Sequence, residues 1–228
     1  MRTIIFLDHH DNAGDDIANE HLTEKGFNID IRRPVNGDPL PEVNNEFQGV
    51  IVYGGSMNVT DMEEETYLKD EIQWIDSCIK ANRQVLGICL GAQLIAHVLG
   101  AKVGPAKSGL CEFGYYEIEP TDAGKGWIPD SFFVTQAHFQ EYETPEGATC
   151  LAKGKIFEHQ AFKYGNNVFA FQFHPEINEA IFTRWQNSDW AFFDSPGAQT
   201  REQQGRMKSQ ASIIQESWFR NFLDGFFV

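Results

Sequence analysis

The chain has 228 residues, 42% of them hydrophobic and 13% aromatic, and a formal net charge of −15. That length allows one large domain or two small ones with a sizeable core. The acidic balance excludes non-specific nucleic-acid binding and attraction to an anionic membrane surface. The first hundred residues alternate strand and helix signals. Thr3–Leu7 reads as a strand, Ile17–Lys25 as a short helix stopped by Gly26, and Phe27–Ile31 as a second strand. A loop with Pro34, Gly37, Pro39 and Pro41 leads to a third strand, Val50–Tyr53. Glu63–Asn82 is the clearest helix, because Leu68, Ile72, Ile75 and Ile79 share one face. Its opening run Glu63-Glu64-Glu65 suits the positive end of a helix dipole. Val85–Ile88 is a fourth strand, followed by an amphipathic helix, Ala92 to Leu99, closed by Gly100.

Alternating apolar strands and helices predict an α/β fold with a mostly parallel central sheet covered by helices on both faces. From 101 to 174 the pattern changes to short β-like runs, Phe113–Glu119, Ser131–Thr135 and Val168–Phe173, which add a smaller antiparallel portion. Residues 186–206 are rich in Gln, Ser, Asp and Gly, with Trp190, Phe192 and Phe193 inserted, and read as an insertion. Met207–Leu223 is expected as a final amphipathic helix carrying Ile213, Ile214, Trp218, Phe219 and Phe222. Without repeats or a flexible linker, residues 1–228 are expected to form a single domain.

The cysteines at 78, 89, 111 and 150 form no CxxC and no zinc spacing, and Cys78 falls on the apolar face of the predicted helix. The amino terminus is too short for a signal peptide, and no run reaches membrane-spanning length. A cytoplasmic, reducing location is expected, and it suits a free reactive thiol. Asp8-His9-His10-Asp11 with Asp15 and Asp16 has donors of metal-ligand type. The group follows the first strand and is expected as a solvated loop near the mouth of a site, with no metal. No Walker-type loop or dinucleotide fingerprint is present, so no cofactor is expected.

Two segments carry chemistry. Residues 85–93, Val-Leu-Gly-Ile-Cys-Leu-Gly-Ala-Gln, read as strand, tight turn and helix with Cys89 at the turn. Gly87 and Gly91 flank it without Cβ atoms and are expected to let the backbone turn sharply. Serine hydrolases place their nucleophile on such an elbow. About 80 residues on, Phe-Gln-Phe-His-Pro-Glu puts His174 and Glu176 two apart at the end of another apolar strand, facing the same way. A thiol, an imidazole and a carboxylate are the parts of a nucleophilic triad.

Gly-Ile-Cys-Leu-Gly-Ala-Gln and Phe-Gln-Phe-His-Pro-Glu resemble the signatures of class I glutamine amidotransferases. A third segment, Gly49-Val-Ile-Val-Tyr-Gly-Gly-Ser56, resembles the strand and Gly-Gly turn that supplies that family's oxyanion hole. The likeness spans residues 1–182 and is closest to free-standing members similar to the glutaminase part of GMP synthetase. It implies a flavodoxin-like class I glutaminase fold. It also implies attack by Cys89 on the side-chain amide of glutamine, with His174 as acid–base and Glu176 as its orienter. Gly55 and Leu90 N–H groups would form the oxyanion hole. Gln93, one helical turn past Cys89, matches a position that contacts the substrate's amino-acid end. Thr135-Gln-Ala-His-Phe-Gln140 resembles a pocket-lining segment, often Ser-His-x-Asp, which makes His138, Phe139 and Gln140 substrate-binding candidates. Gln140 stands where aspartate is frequent, and His138 either lines the pocket or is a satisfied loop histidine.

No second catalytic portion is visible, so the resemblance implies ammonia delivery to a synthetase subunit on another chain. The same triad would serve a stand-alone γ-glutamyl peptidase, for which Gln140 and the 186–206 segment speak. A non-catalytic regulator or binding protein on the same fold is the third reading, against which the intact triad speaks.

Overall fold

The computed structural model describes residues 2–10, 14–44 and 46–228. Its parallel portion is built from β1 (Thr3–Leu7), β2 (Asn28–Arg32), β3 (Gly49–Val52) and β4 (Gln84–Ile88), with α1 (Ile17–Glu24), α2 (Tyr67–Lys80) and α3 (Leu90–Val98) between or after them. The rest of the chain supplies β5 (Val103–Pro105), β6 (Glu112–Pro120), β7 (Phe132–His138), β8 (Gln140–Tyr142), β9 (Thr149–Gly154), β10 (Ala161–Tyr164) and β11 (Val168–Phe171). Two helices close the chain, α4 (Glu179–Gln186) and α5 (Arg201–Phe227).

One nine-stranded sheet runs β2-β1-β3-β4-β11-β10-β9-β6-β7, and β5 and β8 form a separate antiparallel pair. The first five strands are parallel, with β11 pairing on β4 through Val168↔Val85 to Phe171↔Ile88. The other pairs in that sheet are antiparallel. The parallel order is the doubly wound flavodoxin-like arrangement. Alternate residues of each strand feed opposite layers. Ile4, Phe6, Ile51, Leu86 and Phe171 pack with α1 and α5, while Ile5, Leu7, Val50, Val85 and Ala170 pack with α2 and α3. Burial on both faces is why β1, β3, β4 and β11 are almost wholly apolar, while the edge strand β2 alternates Asn28, Asp30 and Arg32 with Ile29 and Ile31.

Several bounds differ from the sequence expectations. The helix predicted from Glu63 begins at Tyr67, because Asn58 and Asp61 cap each other reciprocally and hold Val59–Asp61 as a short 3-10 turn. Glu63, Glu64 and Glu65 therefore precede α2, whose first turn carries Asp70 instead. The last helix is longer at both ends than 207–223. Thr200 caps it by accepting from Gln203 N–H, and the Gln203 side chain accepts from Thr200 N–H. Before that cap, residues 190–199 pack on β6. Phe113 meets Phe192 and Phe193 with ring centroids 4.5 and 5.1 Å away. The Gln199 amide bonds both backbone groups of Tyr115, accepting at 2.9 Å and donating at 2.6 Å. Polar composition here serves backbone pairing.

Candidate active site

Four adjacent parallel strands, β1, β3, β4 and β11, end on one edge of the sheet and deliver His9, Gly54-Gly55, Cys89 and His174 there. Ligands of open parallel sheets bind at this end of the strands. Cys89 has φ 51° and ψ −108°, a conformation rare for a residue with a Cβ. It is the N-cap of α3, and its own N–H donates to Phe171 O at 2.8 Å. The sharp turn therefore lies at Cys89 itself. The flanking glycines, neither of which has positive φ, serve close approach instead. A Cβ on Gly87 would come within 2.6 Å of the Gly91 backbone, and one on Gly91 would run into the Val52 carbonyl oxygen.

His174 and Glu176 follow β11. The imidazole Nδ1 lies 2.8 Å from Glu176 Oε1, and both side chains are buried. Burial alone would lower the His174 pKa. The Glu176 charge, with the charge of Cys89 and a hydrogen bond to it, outweighs burial and lifts the value from 6.5 to about 10. The ring thus holds a proton firmly between a carboxylate and a sulfur. Trp185 of α4 stands edge-on to it, with centroids 4.9 Å apart.

The backbone here is fastened from three sides. Gln215 of α5 donates to His174 O and Ile177 O, both at 3.1 Å, and accepts from Thr135 N–H at 2.7 Å. Ile17 N–H donates to Glu176 O at 2.9 Å, and Asn178, the α4 cap, donates to Asp15 O at 2.8 Å. Asp16 lies half-buried close by and accepts from Tyr53 OH at 3.0 Å. Burial first, then the Glu176 charge, raises its carboxyl from 3.8 to about 6.

Leu90 opens α3, and first-turn N–H groups have no acceptor within their own helix. Gly54 and Gly55 follow β3. A Cβ on Gly54 would sit 2.8 Å from His174 Cε1 and 3.4 Å from Cys89 Cβ; one on Gly55 would sit 2.7 Å from Leu90 Cδ2. The Gly-Gly turn thus lies against all three of these residues. Asp8 and His9 are buried, which corrects the expected solvated loop; Asp11 lies outside the described residues. Asp8 is 3.2 Å from Arg33, and His9 pairs with Glu71 of α2. Among the described residues no three His, Cys, Asp or Glu side chains cluster in a way that could hold a metal ion.

Of the predicted pocket residues, Gln93 comes nearest Cys89. Its amide donates at 3.2 Å to Gln172, whose own amide donates toward Cys89 Sγ at 3.8 Å. His138 is buried, and its ring is bonded to Glu112 Oε2 at 3.0 Å and to the Gln140 carbonyl at 2.9 Å instead of to Cys89 or His174. Phe139 is 46% exposed and lies against Phe192, with centroids 4.4 Å apart. Gln140 Oε1 is buried without a hydrogen-bond partner among the described residues. Not evident in the sequence are Gln172, which joins Gln93 to Cys89, and a buried trio of Gln136, Gln160 and Glu112 linked by Gln136-to-Gln160 and Gln160-to-Glu112 bonds of 2.7 and 3.1 Å. The first of these sat inside the Phe-Gln-Phe-His motif, and its placement between apolar strand residues was the available signal. Among the described residues no helix is long and apolar enough to cross a membrane.

Comparison with known proteins gives the family. The family model described as glutamine amidotransferase class-I matches residues 7–183. The chain is 34% identical over 186 residues to YfeJ of Salmonella typhimurium, described as glutamine amidotransferase-like, with 76% of each chain covered. It is 32% identical over 169 residues to gamma-glutamyl peptidase 5 of Arabidopsis thaliana, covering 69% of this chain and 65% of the relative. It is 31% identical over 174 residues to one subunit of the glutamine-hydrolyzing GMP synthase of Methanocaldococcus jannaschii, covering 73% and 86%. A solved glutamine amidotransferase of Thermotoga maritima superposes with a TM-score of 0.86 at 25% identity, covering 99% of this chain and 97% of that one. The chain belongs to the class I glutamine amidotransferase family.

Proposed function

We propose that the chain hydrolyses γ-glutamyl amides through a Cys89–His174–Glu176 triad. The observation that carries this reading is the positive-φ Cys89 elbow beside an imidazole held at 2.8 Å by Glu176. Cys89 Sγ attacks the side-chain amide carbon with its proton already held on the His174 ring. The tetrahedral oxyanion is met by the Gly55 and Leu90 N–H groups. The C–N bond then breaks as His174 gives its proton to the leaving nitrogen, leaving a thioester. Water adds to the thioester, His174 takes a proton from it, and breakage of the C–S bond releases glutamate and the thiol. A high proton affinity at His174 suits the first step, and Glu176 supplies it.

Glutamine is the simplest substrate, with ammonia passed to a synthetase on a separate chain, as the likeness to the GMP synthase relative supports. A stand-alone γ-glutamyl peptidase is the second reading. The peptidase relatives favour it, and so does the run of Trp185 on His174 and the exposed Trp190 on Trp185. All four cysteines are free, which suits a reducing, cytoplasmic location. The test is glutamate release by the purified chain from glutamine and from γ-glutamyl dipeptides, with and without cell extract. Turnover that Cys89→Ala abolishes is expected; no turnover of any of these substrates under either condition would overturn the reading.

A further inference from the structure

His9 is a buried titratable residue at the site that the reaction above does not use. Its side chain and that of Glu71 are both fully buried, with Nε2 3.0 Å from Glu71 Oε2. On the other side of the ring, Nδ1 lies 3.3 Å from the Gly54 carbonyl oxygen. A carboxylate and a carbonyl only accept, so a ring bonded to both carries a proton on each nitrogen. The surroundings agree. Burial, the largest influence, lowers the His9 pKa, but the Glu71 hydrogen bond and charge, the Gly54 carbonyl and the Asp8 charge together raise it above 6.5. The neighbouring His10 is pushed the opposite way by burial and by His9. A buried charge of this kind is tolerated only with its partner in place.

We propose that the His9–Glu71 pair clamps the Gly54–Gly55 peptide with its N–H turned to the nucleophile, so that the oxyanion hole is formed in the isolated chain. The proposal rests on the γ-glutamyl hydrolase reading. Among the described residues there is no cis peptide bond, and in a trans peptide the N–H points opposite to the carbonyl. Gly54 turns its carbonyl to His9, so the Gly55 N–H faces away from His9. That N–H has no acceptor among the described residues. The same two glycines lie against His174, Cys89 and Leu90. Two adjacent glycines rotate cheaply, so an unclamped peptide can turn over and offer a carbonyl oxygen where the oxyanion must form. His9 and Glu71 are therefore positioning residues, acting through the peptide they hold.

The test uses His9→Phe, which fills the space and removes the donor, measured beside the intact chain. Turnover should fall about a hundredfold, the usual effect of losing one oxyanion donor, with KM within about threefold. Alkylation of Cys89 by iodoacetamide passes through no oxyanion and should stay within about twofold. His9→Asn, whose amide nitrogen stands where Nδ1 stood, should recover about tenfold of the lost turnover. Turnover within threefold of the intact chain, or alkylation slowed as much as turnover, would refute the clamp. If His9→Phe does not fold, His9→Leu, which also removes the donor, carries the same comparison with the same refuting results. A crystal structure of the variant separates this proposal from the reading beneath it. A Gly54 carbonyl that keeps its direction without the His9 donor refutes the clamp, even if the intact chain hydrolyses no γ-glutamyl amide.

Discussion

Asp16→Asn is expected to make the protein more stable, and only above a defined pH. Asp16 caps α1, accepting from Ala18 and Asn19 N–H at 3.0 and 3.1 Å and from Tyr53 OH at 3.0 Å. Despite these donors, burial and then the Glu176 charge lift its carboxyl from 3.8 to about 6. A carboxyl that is harder to ionise in the fold than in the unfolded chain weakens the fold where it is ionised. The penalty is absent below about 3.8, grows as pH rises, and is complete above about 6. At 1.36 kcal/mol per pH unit the gap corresponds to roughly 3 kcal/mol. Asparagine keeps the cap and the acceptor for Tyr53 without the charge. Urea unfolding at pH 8 should show the variant ahead by about 2–3 kcal/mol, and at pH 4 the two proteins should agree within about 0.5 kcal/mol. Equal differences at both pH values, or a less stable variant at pH 8, would refute the penalty on the Asp16 charge.

A sub-stoichiometric electrophile at neutral pH should label Cys89 first by peptide mass spectrometry, since burial pushes Cys78 up to about 12 and also raises Cys111 and Cys150. Glu176→Gln removes the largest influence raising His174, so the alkaline limb of the turnover profile should move to lower pH. The stability that His174 gives, complete below 6.5 and lost as pH rises through about 10, should shrink over the same window in denaturant titrations. Gly54→Ala brings a methyl 2.8 Å from His174 Cε1, and the displaced ring should lower kcat by about a hundredfold in steady-state assays. Gln215→Leu removes the partner of Thr135 N–H and of the Ile177 carbonyl and leaves the His174 carbonyl only the Ile177 N–H at 3.4 Å, and urea melts should show a loss of roughly 2–4 kcal/mol.

The parallel strands were legible because each is a short apolar run fed by helix signals, and Thr3–Leu7 matches to the residue. The Cys89 elbow and the His174–Glu176 pair were legible as spacing. Their supports were not, because each is a single polar residue on an otherwise apolar helix face. Glu71 lies on the buried stripe of Leu68, Ile75 and Cys78, 62 residues from the histidine it holds. Gln215 lies between Ala211 and Phe219 in the same way. A lone acid or amide on such a stripe was the signal. Asp8 and His9 read as solvated because charged neighbours hid a partner so far along the chain. The Thr200-x-x-Gln203 capping pattern did mark the true start of the last helix, but the polar composition around it masked the mark. The order of the antiparallel strands rests on pairings such as Ile118 with Gly154, which no local pattern encodes.

β4 is flanked by β3 and β11, and β11 is made only after β9 and β10. Chain synthesis delivers the amino-terminal strands first. For the span between residues 88 and 168, then, the growing chain carries Val85, Leu86 and Ile88 on an unpaired strand edge, with Cys89 at its tip and His174 not yet made. An open apolar edge is a template for any other strand. Insertion of β11 closes that edge and brings His174 to Cys89 in one event. A nascent chain that fails at this step keeps Cys89 and His174 apart and presents an open apolar edge to its own copies.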